Sequence, residues 1–134
     1  MVYGTNGIDI GDNTATKLLL NFDSNTTVTT TTDASDSAHT MTFVADAKTD
    51  NTIKQFGESS LLLDGTGDYV TTPASTDFDL LSDNFTMECF VRPTTGFTSN
   101  LTILGRTASV SDFYRLDVLA NSNISFTYMQ NGFA

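Results

Sequence analysis

Apolar residues recur at every second position in several short runs of this chain, and polar stretches rich in glycine or threonine separate them. That alternation is the period of a β-strand, whose successive side chains point to opposite faces. The clearest run is 84–92, with Phe85, Met87, Cys89 and Val91 on one face and Thr86, Glu88, Phe90 and Arg92 on the other. A second run, 59–64, puts Leu61 and Leu63 in phase. It leads through Gly65-Thr66-Gly67-Asp68, a turn by composition, into a strand at 69–72 that stops at Pro73. The pattern predicts that Leu61, Leu63, Phe85, Met87, Cys89 and Val91 share one core. Leu19 and Leu62 fall on the faces opposite their strands' core sets, so those faces are expected to be covered as well.

The rest of the chain is punctuated in the same way. Residues 1–16 are polar and glycine-rich without periodicity, and are expected to form an arm ahead of a domain over 17–134. A strand is expected at 17–22 (Leu18, Leu20 and Phe22 in phase) and another at 38–45 (Met41, Phe43 and Ala45). The threonine-rich 23–37 reads as an exposed loop or edge ribbon, and 46–52 as a polar turn. Phe78, Leu80 and Leu81 space 74–83 as a single helical turn. Strands follow at 101–106 and 113–120, with turns at 94–100 and 107–112. In 113–120, Tyr114, Leu116 and Val118 face away from Phe113, Arg115, Asp117 and Leu119. A tight turn at 121–123 then closes a hairpin with 124–129. Short strands at regular spacing point to an all-β sandwich.

At 134 residues there is room for one domain with a sizeable core. The net charge of −10 opposes binding to nucleic-acid phosphates. The single cysteine excludes an internal disulfide, and Cys89, on the apolar face of its strand, is expected to be a buried, inert thiol. The first ten residues lack the basic and apolar segments of a secretory leader, and no apolar run is long enough to insert in a membrane.

"FGESSLLLDGTGDYVTTP", "DFDLLSDNFTMECFVRP" and "TILGR" together resemble the laminin-G-like, concanavalin A-like jelly-roll domains. The likeness runs from about Lys17 to about Tyr128 and is most specific in the middle third. Phe90 stands where the family usually has tryptophan, and the chain contains no tryptophan at all. The resemblance covers the leading half of such a domain, so the jelly roll is expected to be incomplete at its C-terminus. The run at 124–129 would then lie near an open edge, completed by a continuing chain or by strands from identical neighbours.

Candidate chemistry is sparse. His39, the single histidine, has no serine or cysteine partner recognisable from spacing and reads as a surface or capping residue. Glu88 has Thr86 and Phe90 two positions away, so the paired carboxylates of glycoside hydrolysis are missing and Glu88 is expected to pair with Arg92 or a backbone donor. No catalysis is expected. The resemblance also implies calcium at a sandwich rim, for which Asp23, Asp64 and Asp68 are the candidate ligands. Turn chemistry accounts for Asp64 and Asp68 equally well. Sequons at Asn25, Asn84, Asn100 and Asn123 are unremarkable in a chain rich in Asn and Thr.

The acidic, threonine-rich chain and its resemblance together suggest a non-catalytic, lectin-like structural or adhesion module of a bacteriophage particle. A capsid decoration or tail-fibre protein at the virion surface, partnered by other virion subunits, identical copies or cell-surface glycans, fits this description. The alternative is a carbohydrate-binding or adhesion module of a larger secreted bacterial protein, placed outside the cell.

Overall fold

β-Branched and aromatic residues favour extended, half-buried backbone, and the computed structural model of this chain is all-β. It describes residues 15–80, 84–93, 98–110 and 112–129. Among the described residues every strand pairing is antiparallel, and helical structure is confined to 3-10 turns such as Thr76–Phe78, inside the span expected to make one helical turn. The chain divides into two units, Met1–Asp77 and Phe78–Ala134. The expected arm up to residue 14, Leu81 and most of the turn at 94–100 lie outside the described residues.

The first unit holds two separate two-stranded sheets with loops sewn to them. β2 (Lys48–Asp50) pairs with β3 (Ser60–Leu62), with Thr49 opposite Leu61. β1 (Thr42–Val44) pairs with β4 (Tyr69–Thr71), with Phe43 opposite Val70. Between the two pairs, the short link 45–47 faces the longer stretch 63–68, so a continuous ladder is impossible. The Asp68 carboxylate fills the gap, accepting the amides of Asp46 and Asp64, both at 2.8 Å. Gly65 (φ 89°) and Gly67 (φ 82°) take up the excess length in left-handed backbone, as the turn composition predicts. Ala47 and Thr49 are the most deeply buried residues, at 0% and 1% exposure. Phe22 meets Phe43 edge to face at 6.3 Å.

Three expectations for this unit are corrected. No strand forms at 17–22, where the ladder is reduced to one bridge between Leu20 and Asp33. Phe22 sits at φ 50°, outside the extended region, and the Leu19 amide bonds the Asp33 side chain instead of a neighbouring strand. The polar segment 46–52 is not simply a turn, since it contains β2. Thr49 can point inward there because its hydroxyl accepts the Val28 amide and donates to the Thr26 carbonyl. The threonine-rich 23–37 is a loop, yet it buries Asp33 and Ser35.

The second unit is a three-stranded meander of β5 (Leu101–Ser109), β6 (Asp112–Val118) and β7 (Ile124–Met129), ordered β5-β6-β7. The turn expected over 107–112 is shorter, because Ser109 already pairs with Asp112. The β6–β7 hairpin forms as expected. Leu119 accepts the Ser122 amide and donates to the Asn123 carbonyl, both at 2.8 Å. Cross-strand pairs share a face, so Tyr114, Leu116 and Val118 line up with Tyr128, Phe126 and Ile124 on β7 and with Arg106, Leu104 and Leu101 on β5. Tyr114 and Val118 on the central strand are buried, while Leu101 and the β7 residues stay open.

The expected shared core does not assemble. Residues 84–93 form no ladder among the described residues, and most of their side chains are exposed. Phe85, Cys89, Phe90 and Val91 are exposed and Met87 is half-buried. Phe85 packs against Phe126 of β7 at 5.8 Å between centroids. Leu61 is half-buried and Leu63, just past the end of β3, is exposed. Leu19 and Leu62 are half-buried, in keeping with some cover over their faces. Cys89 is not the buried thiol expected of it, although partial desolvation still raises its pKa.

Candidate functional site

The three carboxylates proposed for calcium are placed by backbone amides. Asp68 spends one oxygen on Asp46 and the other on Asp64, and these hydrogen bonds, the Asp64 amide foremost, hold it below its ordinary pKa. Asp64 accepts the Thr66 amide at 2.7 Å and caps the glycine turn. Asp23 accepts the Glu58 amide at 2.6 Å. Asp64 and Asp68 are thus brought together, but Asp23 is held elsewhere, beside Gly57. Among the described residues no three His, Cys, Asp or Glu side chains gather as a ligand set.

Asp23 instead forms one wall of an open groove of about 370 Å³, lined with Ser24, Val28, Thr30, Thr31 and Thr32. Both walls are anchored. On one side the Ser59 hydroxyl accepts the Ser24 amide and donates to the Phe22 carbonyl, while the Asn51 amide group donates to the Ser24 carbonyl. On the other, Val28 exchanges two hydrogen bonds with Thr49 of β2, its amide to the hydroxyl and its carbonyl from the Thr49 amide. Five residues later the Leu20–Asp33 bridge fixes the chain again. The 29–32 span is therefore held at each end, with its hydroxyls presented between the fixings.

Behind that loop lies a polar network that spacing alone did not reveal. Asp33 is 5% exposed and accepts the amides of Leu19, Ser35 and His39, each at 2.9 Å, plus the Ser35 hydroxyl at 2.8 Å. Burial pushes its carboxyl up, and the hydrogen bonds from Leu19, Ser35 and His39 outweigh it, so the net shift is downward. Asp77 accepts the Ser37 hydroxyl at 2.7 Å and lies 3.2 Å from His39 Nε2 and 3.7 Å from Lys17 Nζ. Ser37 foremost, with Lys17 and His39 near it, keeps this carboxyl low. His39, expected as a surface or capping residue, is half-buried, with its side chain 13% exposed. The two serine hydroxyls donate to carboxylates, an arrangement that orders a loop rather than activating a nucleophile. The sequence-level hint was Asp33-x-Ser35, an Asx-turn spacing inside a polar stretch.

No family model matches this chain, and no curated protein matches it. Among solved structures it is similar to the crystal structure of residues 221–444 of an S-layer domain-containing protein from Clostridium thermocellum, with a TM-score of 0.61 at 21% identity. The likeness covers 87% of this chain and 52% of that one, so the chain spans about half the length of the structure it resembles. At that identity the likeness establishes a shared all-β fold.

Proposed function

We propose that this chain is a β-sandwich module of a larger secreted bacterial surface protein, acting by carbohydrate binding or adhesion and not by catalysis. The observation that carries this reading is the similarity of most of the chain to part of an S-layer domain-containing protein. The site chemistry supports it. The groove offers hydroxyls and one carboxylate, a set that exchanges hydrogen bonds with polyols and contains no activated nucleophile. Among the described residues no helix is long and apolar enough to cross a membrane. A virion role draws no comparable support, so the surface-protein reading is preferred. The test is binding of the purified chain to an array of bacterial surface polysaccharides. Saturable binding to at least one class is expected, and an array without binding, together with no adherence to intact bacterial cells, overturns the reading.

A further inference from the structure

The geometry points to the groove between Asp23–Ser24 and Thr30–Thr32 as the binding site, and to a neutral polysaccharide as its ligand; this inference rests on the surface-binding function proposed above. A volume of about 370 Å³ lies at the small end of ligand sites, which run roughly 300–1,000 Å³. The groove is open, so it suits a stretch of an extended polymer rather than an enclosed small molecule.

Its lining has the chemistry of polyol recognition. The hydroxyls of Ser24, Thr30, Thr31 and Thr32 can each donate and accept. Asp23 is exposed, and among the described residues its bonded oxygen is Oδ1, on the Glu58 amide; Oδ2 remains to accept from a ligand hydroxyl. A hydroxyl bonded to a carboxylate is a charge-assisted pair, stronger than a neutral one. Val28 adds an apolar surface for a sugar's C–H face. Among the described residues no cation lines the groove, and the chain carries a net charge of −10. Anionic polymers such as teichoic acids are therefore repelled, which selects for neutral chains.

The anchoring also favours binding. Ordering a loop upon association costs affinity, and here the Ser59, Asn51 and Thr49 bonds and the Leu20–Asp33 bridge fix the walls beforehand. Low-complexity threonine would otherwise supply only a solvated loop.

The experiment compares the unmodified chain with Asp23→Asn, Thr31→Val and a control, Thr66→Ala at the glycine turn, on an array carrying both neutral and teichoic-acid-type bacterial polymers. Asp23→Asn retains an acceptor for the Glu58 amide, and Thr31→Val keeps shape and β-branching, so thermal melts are expected to confirm folding of both. The expected result is binding to neutral polymers by the unmodified chain and the control, weakened about tenfold or more by each groove variant. Equal binding by all four proteins, or binding confined to the anionic polymers, overturns the groove assignment while leaving surface binding standing. Absence of binding by the unmodified chain, together with no adherence to intact bacterial cells, overturns the parent reading instead; adherence without binding to any array polymer overturns the groove assignment.

Discussion

The two units reach order by different routes. In Met1–Asp77 the ladders are three residues long, and the loops are fixed by side chains that stand in for backbone partners: Asp33, Thr49, Ser59 and Asp68. In Phe78–Ala134 the nine-residue β5 and seven-residue β6 carry a long backbone ladder, and side-chain bonds such as Thr102 to Asp117 are supplementary. Both units bury little apolar volume. What distinguishes them is that the first depends on a few irreplaceable polar atoms, whereas the second spreads its order over many equivalent backbone bonds. Point substitutions should therefore act sharply in the first unit and more gradually in the second.

The largest effect is expected from Asp33→Ala. It leaves the amides of Leu19, Ser35 and His39 without their acceptor in a buried site. Each unsatisfied group costs about 1–3 kcal/mol, so a loss of roughly 3 kcal/mol or more is expected in denaturant melts. Amide exchange should localise the opening to those three residues. A loss under about 1 kcal/mol would break the contrast between the units, because the most connected polar atom of the first would then be dispensable.

Next come two glycines that test the same contrast. A Cβ on Gly57 would lie 2.7–2.9 Å from the Asp23 carboxylate, at φ +65°. A Cβ on Gly105 would lie 2.8 Å from the Tyr114 carbonyl oxygen of the neighbouring strand. Either alanine should cost roughly 1–3 kcal/mol, from left-handed backbone strain in one and overpacking in both. The obstacles differ in kind. Adding Asp23→Ala should relieve part of the Gly57→Ala cost, as a double-mutant cycle would show. No side-chain change can relieve Gly105→Ala, whose obstacle is backbone.

Acid and alkali should separate the units too. Among the described residues the carboxylates held below their ordinary value, Asp33, Asp50, Asp68 and Asp77, all belong to the first unit. A carboxyl with a lowered folded-state pKa contributes stability above its ordinary value, 3.8, that is lost as the pH falls through the folded-state value. Acid should therefore loosen the first unit. In the second, burial raises the Tyr114 pKa above its ordinary 10.0, with Arg106 opposing and Asp79 adding to the shift. Its contribution is intact below that ordinary value and lost as the pH rises through the folded-state one. Methyl signals of Val28 and Val118, one from each unit, can be followed through both titrations. Val28 should respond first in acid and Val118 first in alkali, and simultaneous loss in both limbs would contradict the separation.

These contrasts also explain what was legible in the sequence. Strand period identified β3, β4, β6 and β7, because each of these runs finds a ladder partner that rewards its alternation. The same rule failed at 84–92, the most regular run of all: alternation makes a segment able to form a strand, but a core strand also needs neighbours. It failed again at 17–22, where Phe22 leaves the extended region and Asp33 takes the amide a ladder would use. The groove was hidden for a related reason. Asp23 was singled out for its charge, yet its wall is built by the remote Ser59 and Glu58, and no local pattern in the threonine-rich stretch announces Thr49 as its anchor.

The smallest expected effect concerns the edge of the meander. Ile124 and Val118 are opposite each other on one rung of the β6–β7 ladder and share a face. Val118, on the central strand, is 9% exposed, whereas Ile124, on a strand with no second neighbour among the described residues, is 73% exposed. The rung's apolar burial is thus concentrated on one partner. Ile124→Lys removes little buried surface, leaves the backbone register unchanged, and should change stability by no more than about 0.5 kcal/mol. A lysine on an edge strand also discourages pairing with other chains, so the variant should remain monodisperse at concentrations where the unmodified chain begins to associate, as light scattering can follow. If instead Ile124→Lys costs as much as a core truncation, the edge is covered in solution, and the second unit depends on particular side chains as closely as the first.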